Sequence, residues 1–199
     1  MWTTKITKPH RFMILIVGVL MLVVYIAPLW QITLTAPQYP EGLGLFVWIS
    51  NITGGQTHDI QNINLLNHYI GMKEINPHSI PELRFMPYVL GYMIFGAFIT
   101  FLFPRRFMVL FGIINIVLVA IIGLVDFYIW EYDYGHNLNP DAAISIPGMT
   151  YQPPLLFCKT LLNITACSVP HVGAIILFLG LGILIYVLIS ERAHDRQKV

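Results

Sequence analysis

Between Asn62 and His78 the chain reads NINLLNHYIGMKEINPH, with His68 and Met72 four residues apart. On a helix that spacing puts both side chains on one face. An imidazole beside a thioether is a donor pair for copper, because soft sulfur favours Cu(I). The plainer reading is also open. Met72 continues an apolar stripe with Leu65 and Tyr69, and His68 hydrogen-bonds a nearby carbonyl. A pair alone makes a poor metal site. His136 and Met149 complete the set only if the fold brings them to His68 and Met72. His58 and His78 are isolated loop histidines.

A second group could move protons or cations. Asp126 stands in apolar sequence, at the start of DFYIWEYDYGHNLNP. An ionisable side chain at mid-membrane costs about 2.5–3.5 kcal/mol, and less near the interface. It therefore has a partner or a purpose. At helical spacing Asp126, Trp130 and Asp133 share a face with Tyr134 beside them, and Glu131 points elsewhere. As a relay, these carboxylates pass a proton or support a metal. As structure, Asp126 pairs with Arg84 or Lys159 and locks helices together. The aromatics around them read as an interfacial belt. Cys158 and Cys167 are too far apart for a CxxC motif and read as a disulfide if they lie outside the cytoplasm. Thiolate ligation of copper is the less favoured alternative.

The elements that must position these residues are membrane spans. The chain has 199 residues, 56% hydrophobic and only 11% charged, where a soluble domain is about a quarter charged. Apolar runs at about 12–34, 85–103, 107–130 and 172–190 each approach or exceed the roughly 20 residues needed to cross a bilayer. Backbone in lipid must satisfy itself, so these runs are helices. The expected fold is an all-α integral membrane protein, one domain of four transmembrane helices. The first run is too long for a signal peptide and lacks a cleavage site, so it is expected to stay as a helix.

Lysine and arginine set the orientation. Lys5, Lys8, Arg11, Arg105, Arg106, Arg192, Arg196 and Lys198 fall on one side of the spans, and Lys73, Arg84 and Lys159 on the other. By the positive-inside rule both termini are cytoplasmic, and 35–84 and 131–171 are outer loops. Leu43, Leu45, Val47 and Ile49 alternate with their neighbours and predict a strand, with a weak partner before Asn62 giving a short hairpin. A short interfacial helix is predicted from Asn64 to about Met72, capped by Asn62 or Asn64. Pro87 fits the first turn of the second span. The two loops are expected to pack into one cap.

Several functions are set aside. No histidine lies deep in a span for haem. Walker, dinucleotide and G-x-S-x-G signatures are absent from the sequence, and nothing suggests nucleic acid as a partner. APQYPEGL (36–43), LNHYIGM (66–72), FMPY (85–88), DFYIWEYDYGHNLNP (126–140) and PGMTYQPP (147–154) carry a resemblance. The chain resembles the NosB-type membrane proteins encoded beside nitrous oxide reductase in clade II gene clusters of Bacteroidetes-type bacteria. The likeness runs from the end of the first span to about His171. It implies a bacterial inner-membrane protein required for periplasmic nitrous oxide reduction in denitrification. It transfers no catalytic residue, so the role implied is accessory rather than enzymatic. In one version the outer face binds copper, or docks a reductase or copper-loading protein. In another the protein is a quinol-side anchor or electron-delivery subunit, with quinone bound and other membrane subunits as partners. In a third it is a scaffold without a ligand.

Overall fold

The computed structural model describes residues 5–196, with side chains to His194. Lys198 and the side chain of Arg196, counted above toward a basic tail, lie outside the described residues. Four helices are long and apolar enough to cross a membrane. The first is α1 (Lys8–Leu22), extended by a 3-10 turn at Val23–Tyr25. After the short α2 (Asp59–Ile70) come α3 (Glu82–Leu102), α4 (Arg106–His136) and α5 (Val172–Arg196). Ile14, Val17, Met21 and Val24 of the α1 segment pack with Leu90, Val109, Ile116, Leu184 and Val187. The opposite faces stay apolar and exposed, as at Phe95, Phe111, Ile122 and Phe178, which suits contact with lipid tails.

The fold is not all-α. Five strands form one antiparallel sheet in the order β3-β2-β1-β5-β4. They are β1 (Trp30–Ala36), β2 (Tyr39–Val47), β3 (Ile52–Gly54), β4 (Phe157–Leu161) and β5 (Ile164–Pro170). The first expected span therefore ends early. Residues 30–34 are apolar enough for a helix by count. They alternate, however: Trp30 and Ile32 are buried, while Gln31 and Thr33 are only half-buried. That period of two, with β-branched Ile and Thr, belongs to a strand. Pro28 separates helix from strand.

The two loops meet through the sheet. Trp30 of β1 faces Val47 on one side and Pro170 on the other. Helix α2 lies against β2, with Ile63 among Ile32, Leu43, Leu45 and Ile52. The result is a cap with its own core at one end of the helices. Helix α2 starts at Asp59, earlier than expected, and His58 supplies no side-chain cap. Asp59 instead accepts from the backbone N–H groups of Gly44 and Gln56, both at 2.9 Å, and so ties the helix start to β2. Pro87 lies inside α3 rather than in its first turn. The carbonyl of Pro87 accepts the Tyr25 hydroxyl at 2.7 Å.

Helix α4 has 31 residues, about 46 Å of helix at 1.5 Å per residue. A hydrocarbon layer is about 30 Å thick. The surplus carries WEYDYGH (130–136) into the cap. At the far end the amide of Ile6 donates to the carbonyl of Pro104 at 2.9 Å, joining the start of α1 to the α3–α4 turn.

Candidate functional site

Three stretches of chain converge where α4 enters the cap. Helix α2 ends at Gly71, whose φ of +79° is a left-handed conformation open to glycine. The amide of Met72 donates to the carbonyl of Asn67 at 2.8 Å and that of Gly71 to His68 at 3.3 Å, a Schellman closure. The loop after α4 then docks on this end. Asn139 N–H donates to Gly71 at 2.8 Å, and Ile144 N–H to Tyr69 at 2.9 Å. Further on, Tyr151 N–H donates to the carbonyl of Gly135 at 2.9 Å. Gly135 permits that approach, because a Cβ there would stand 2.3 Å from Cα of Gln152.

These contacts border a partly open cavity of about 70 Å³ between α2, α4, the sheet and the returning segment. Its wall is mostly aliphatic, with Met72, Trp130, Tyr134 and Tyr151 among the residues lining it. The ring centroids of Trp130 and Tyr134 are 4.2 Å apart. Tyr134 is anchored by its hydroxyl, which donates to the carbonyl of Glu74 at 3.0 Å. Glu131 lines the same cavity and is 0% exposed. Neither of its carboxyl oxygens has a hydrogen-bond partner among the described residues. The Tyr151 hydroxyl, on a residue 3% exposed, is also unpartnered. A buried polar group without a partner costs about 1–3 kcal/mol, and a charged one more. Two of them on one cavity are a costly arrangement for an apolar core to keep.

Glu131 thus corrects the sequence reading, which pointed it away from Trp130 and Tyr134. Positions i, i+1 and i+4 fit on one wide helix face. The end of α4 is covered by α2 on one side and by the returning segment on another, so that whole face is enclosed. Asp133 is at the edge, where Lys73 Nζ pairs with its Oδ2 at 2.6 Å and Asn137 donates to its Oδ1. Asp126 is joined to neither Arg84 nor Lys159. Arg84 donates to the carbonyl of His78 at 2.9 Å and Lys159 to that of Gln152 at 3.4 Å. The ion pair fastening α4 to loop one is therefore Lys73–Asp133.

Of the four expected metal donors, Met72 lines the cavity and His68, His136 and Met149 do not. Met72 lies beyond the end of α2, so it does not share a helical face with His68. His68 is exposed, its ring edge-on to Tyr69. His136 stacks on Tyr132 at 3.8 Å, with Nδ1 3.0 Å from the Tyr132 carbonyl. Met149 is half-buried in the loop. Among the described residues no group of three or more His, Cys, Asp or Glu is placed to hold a metal ion. Cys158 and Cys167 are bonded to each other, directly opposite in the β4–β5 register.

Two features escaped the sequence reading. Tyr151 is one, since a lone tyrosine between prolines gives no signal. The other is a polar knot at the far end of the helices. Glu191, 1% exposed, accepts from Thr7 N–H at 2.8 Å and from the Thr7 hydroxyl at 2.6 Å. His10 Nδ1 lies 2.6 Å from its Oε1, and Arg106 Nη2 donates to its Oε2 at 3.2 Å. A carboxylate at the end of an apolar run was the available clue. Comparison with protein-family models, with curated proteins and with solved structures finds no match.

Proposed function

We propose that the chain is an accessory protein of the bacterial inner membrane that supports periplasmic reduction of nitrous oxide, acting through its cap on a reductase or copper-loading partner. One observation carries this. LNHYIGM, DFYIWEYDYGHNLNP and PGMTYQPP, three of the stretches behind the NosB-type resemblance, are the segments hydrogen-bonded together around the cavity. The lipid-facing surfaces carry little of it. The bond pattern fits a role located in the cap. Orientation is consistent with this, because Lys5, Lys8, Arg11, Arg105 and Arg106 belong to the end away from the cap.

The donors present do not favour a copper centre held by this chain alone. Of His68, Met72, His136 and Met149 only Met72 lines the cavity, and no step is routed through a resident metal. The docking version asks less of the residues. His68, Tyr69, Ile144, Ile146 and Phe157 are exposed on the cap, and apolar and aromatic side chains facing water suit contact with a partner.

A strain lacking the chain should reduce nitrous oxide slowly or not at all, and the intact gene should restore the rate. His68→Gln should accumulate in the membrane at the normal level yet restore less of that rate, because an exposed side chain affects partner contact rather than folding. An undiminished rate in the strain lacking the chain would end this reading.

A further inference from the structure

We propose that the cap cavity is a binding site for a small organic cation, a protonated amine or an onium ion, with Glu131 as its counter-charge. The inference goes beyond the accessory role and stands on the cavity alone. Glu131 is fully enclosed and both its oxygens are unpartnered. No Lys, Arg or His lines the cavity. An unpartnered carboxyl buried there either keeps its proton or takes its compensation from an occupant, and a bound cation favours the charged form.

The wall suits such an occupant. Trp130, Tyr134 and Tyr151 line the cavity together with Glu131, and aromatic rings attract cations, most strongly in sites shielded from water. The Tyr151 oxygen, free of other partners, can accept one N–H of an ammonium group. Apart from the amide of Asn67, mostly aliphatic side chains cover the rest and fit alkyl substituents. Size narrows the class further. At roughly 10–15 Å³ per water, a cavity of about 70 Å³ holds about five waters, or a cation of about five non-hydrogen atoms. Drug-sized ligands need about 300–1,000 Å³. A substituted quinol ring is too large without rearrangement.

Leu162 stands at the surface edge of the cavity. It lines the cavity, is half-exposed and sits in the tight turn between β4 and β5 with φ of +59°. A leucine there is strained, where glycine would not be. Strain of this kind collects at ligand clamps. The Cys158–Cys167 bond holds the two strands together behind the turn.

The test uses the purified full-length chain in detergent, titrated with ethylammonium or tetramethylammonium chloride against sodium chloride at equal ionic strength. Calorimetry should show saturable binding of both probes, and each should raise the thermal midpoint. Glu131→Gln keeps the shape and removes the charge, and should weaken both at least tenfold. Tyr151→Phe should weaken ethylammonium, which has N–H groups, and spare tetramethylammonium, which has none. If Glu131→Gln does not accumulate, Trp130→Leu replaces it, with the same loss expected. Unchanged affinity in the charge or ring variant, or no binding of either probe to the native chain, overturns the proposal. So does recovery of a neutral quinone from the cavity.

Discussion

Glu131 concentrates the conflict between stability and use in one side chain. Its carboxyl is wholly enclosed, and among the described residues none hydrogen-bonds it. Evolution readily fills such positions with leucine when only packing matters. Glu131→Leu removes two orphaned oxygens and keeps an apolar body of similar bulk. It should therefore raise the stability of the empty protein by about 1–3 kcal/mol, the usual penalty for an unsatisfied buried group. Denaturant unfolding in detergent measures this. The same variant should lose cation binding. A fall in stability would mean that the carboxyl has a structural role, and the cavity would then be a by-product of packing. Met72 contrasts with it. Its side chain packs against the cap core, so Met72→Leu, nearly equal in volume, should cost less than about 1.5 kcal/mol.

The elements show what a single sequence displays and what it conceals. Long apolar runs announce helices by composition, and three of the four spans were placed to within about six residues at either end. The first was carried too far because Trp30–Leu34 was counted as apolar when its alternation was the signal. The strand at Leu43–Val47 was legible for that same reason. The short hairpin partner expected before Asn62 is Ile52–Gly54, but the pairing with β1 was not legible. Trp30 pairs with Pro170 across most of the chain, and no local pattern reports such a pairing. The site was half legible. Met72 and the acidic end of α4 stood out by type and spacing, yet Glu131 was aimed wrongly because the cover on α4 comes from segments distant in sequence. Tyr151 reaches the cavity only through the contact at Gly135. That contact is testable. Gly135→Ala places a methyl 2.3 Å from Cα of Gln152, where only backbone can yield. Overpacking of this kind costs about 1–3 kcal/mol. Proteolysis of the variant should cut within 147–154 at protease concentrations that leave the native chain intact. Equal resistance would mean that the returning segment is held by other contacts.

The whole molecule has two polar ends joined by apolar helices, and each end is fastened differently. The cap is held by a sheet, a disulfide and the Lys73–Asp133 pair at its surface. An exposed pair of that sort contributes about 0–1 kcal/mol. The opposite end depends on one buried carboxylate, Glu191, which gathers Thr7, His10 and Arg106 from the starts of α1 and α4 onto α5. Orientation can be read with reporter fusions. Those after Arg106 should report cytoplasm and those near Gly55 and Pro147 the periplasm, and an inverted pattern would move the cap to the wrong side for the proposed role. The fastening needs a separate measurement. Glu191→Ala removes the acceptor shared by all these contacts and leaves Arg106, 3% exposed, without that carboxylate. Removing one partner of a buried pair costs about 3–5 kcal/mol, because the remaining charge loses that carboxylate. Arg106→Leu in the same chain should recover part of that loss, since the buried charge that faced Glu191 goes with it. Cation binding in the cap should survive both changes, because the cap has its own core. If Glu191→Ala instead abolishes binding while the helices remain folded, the two ends are coupled through α4, and the cap is not an independent unit.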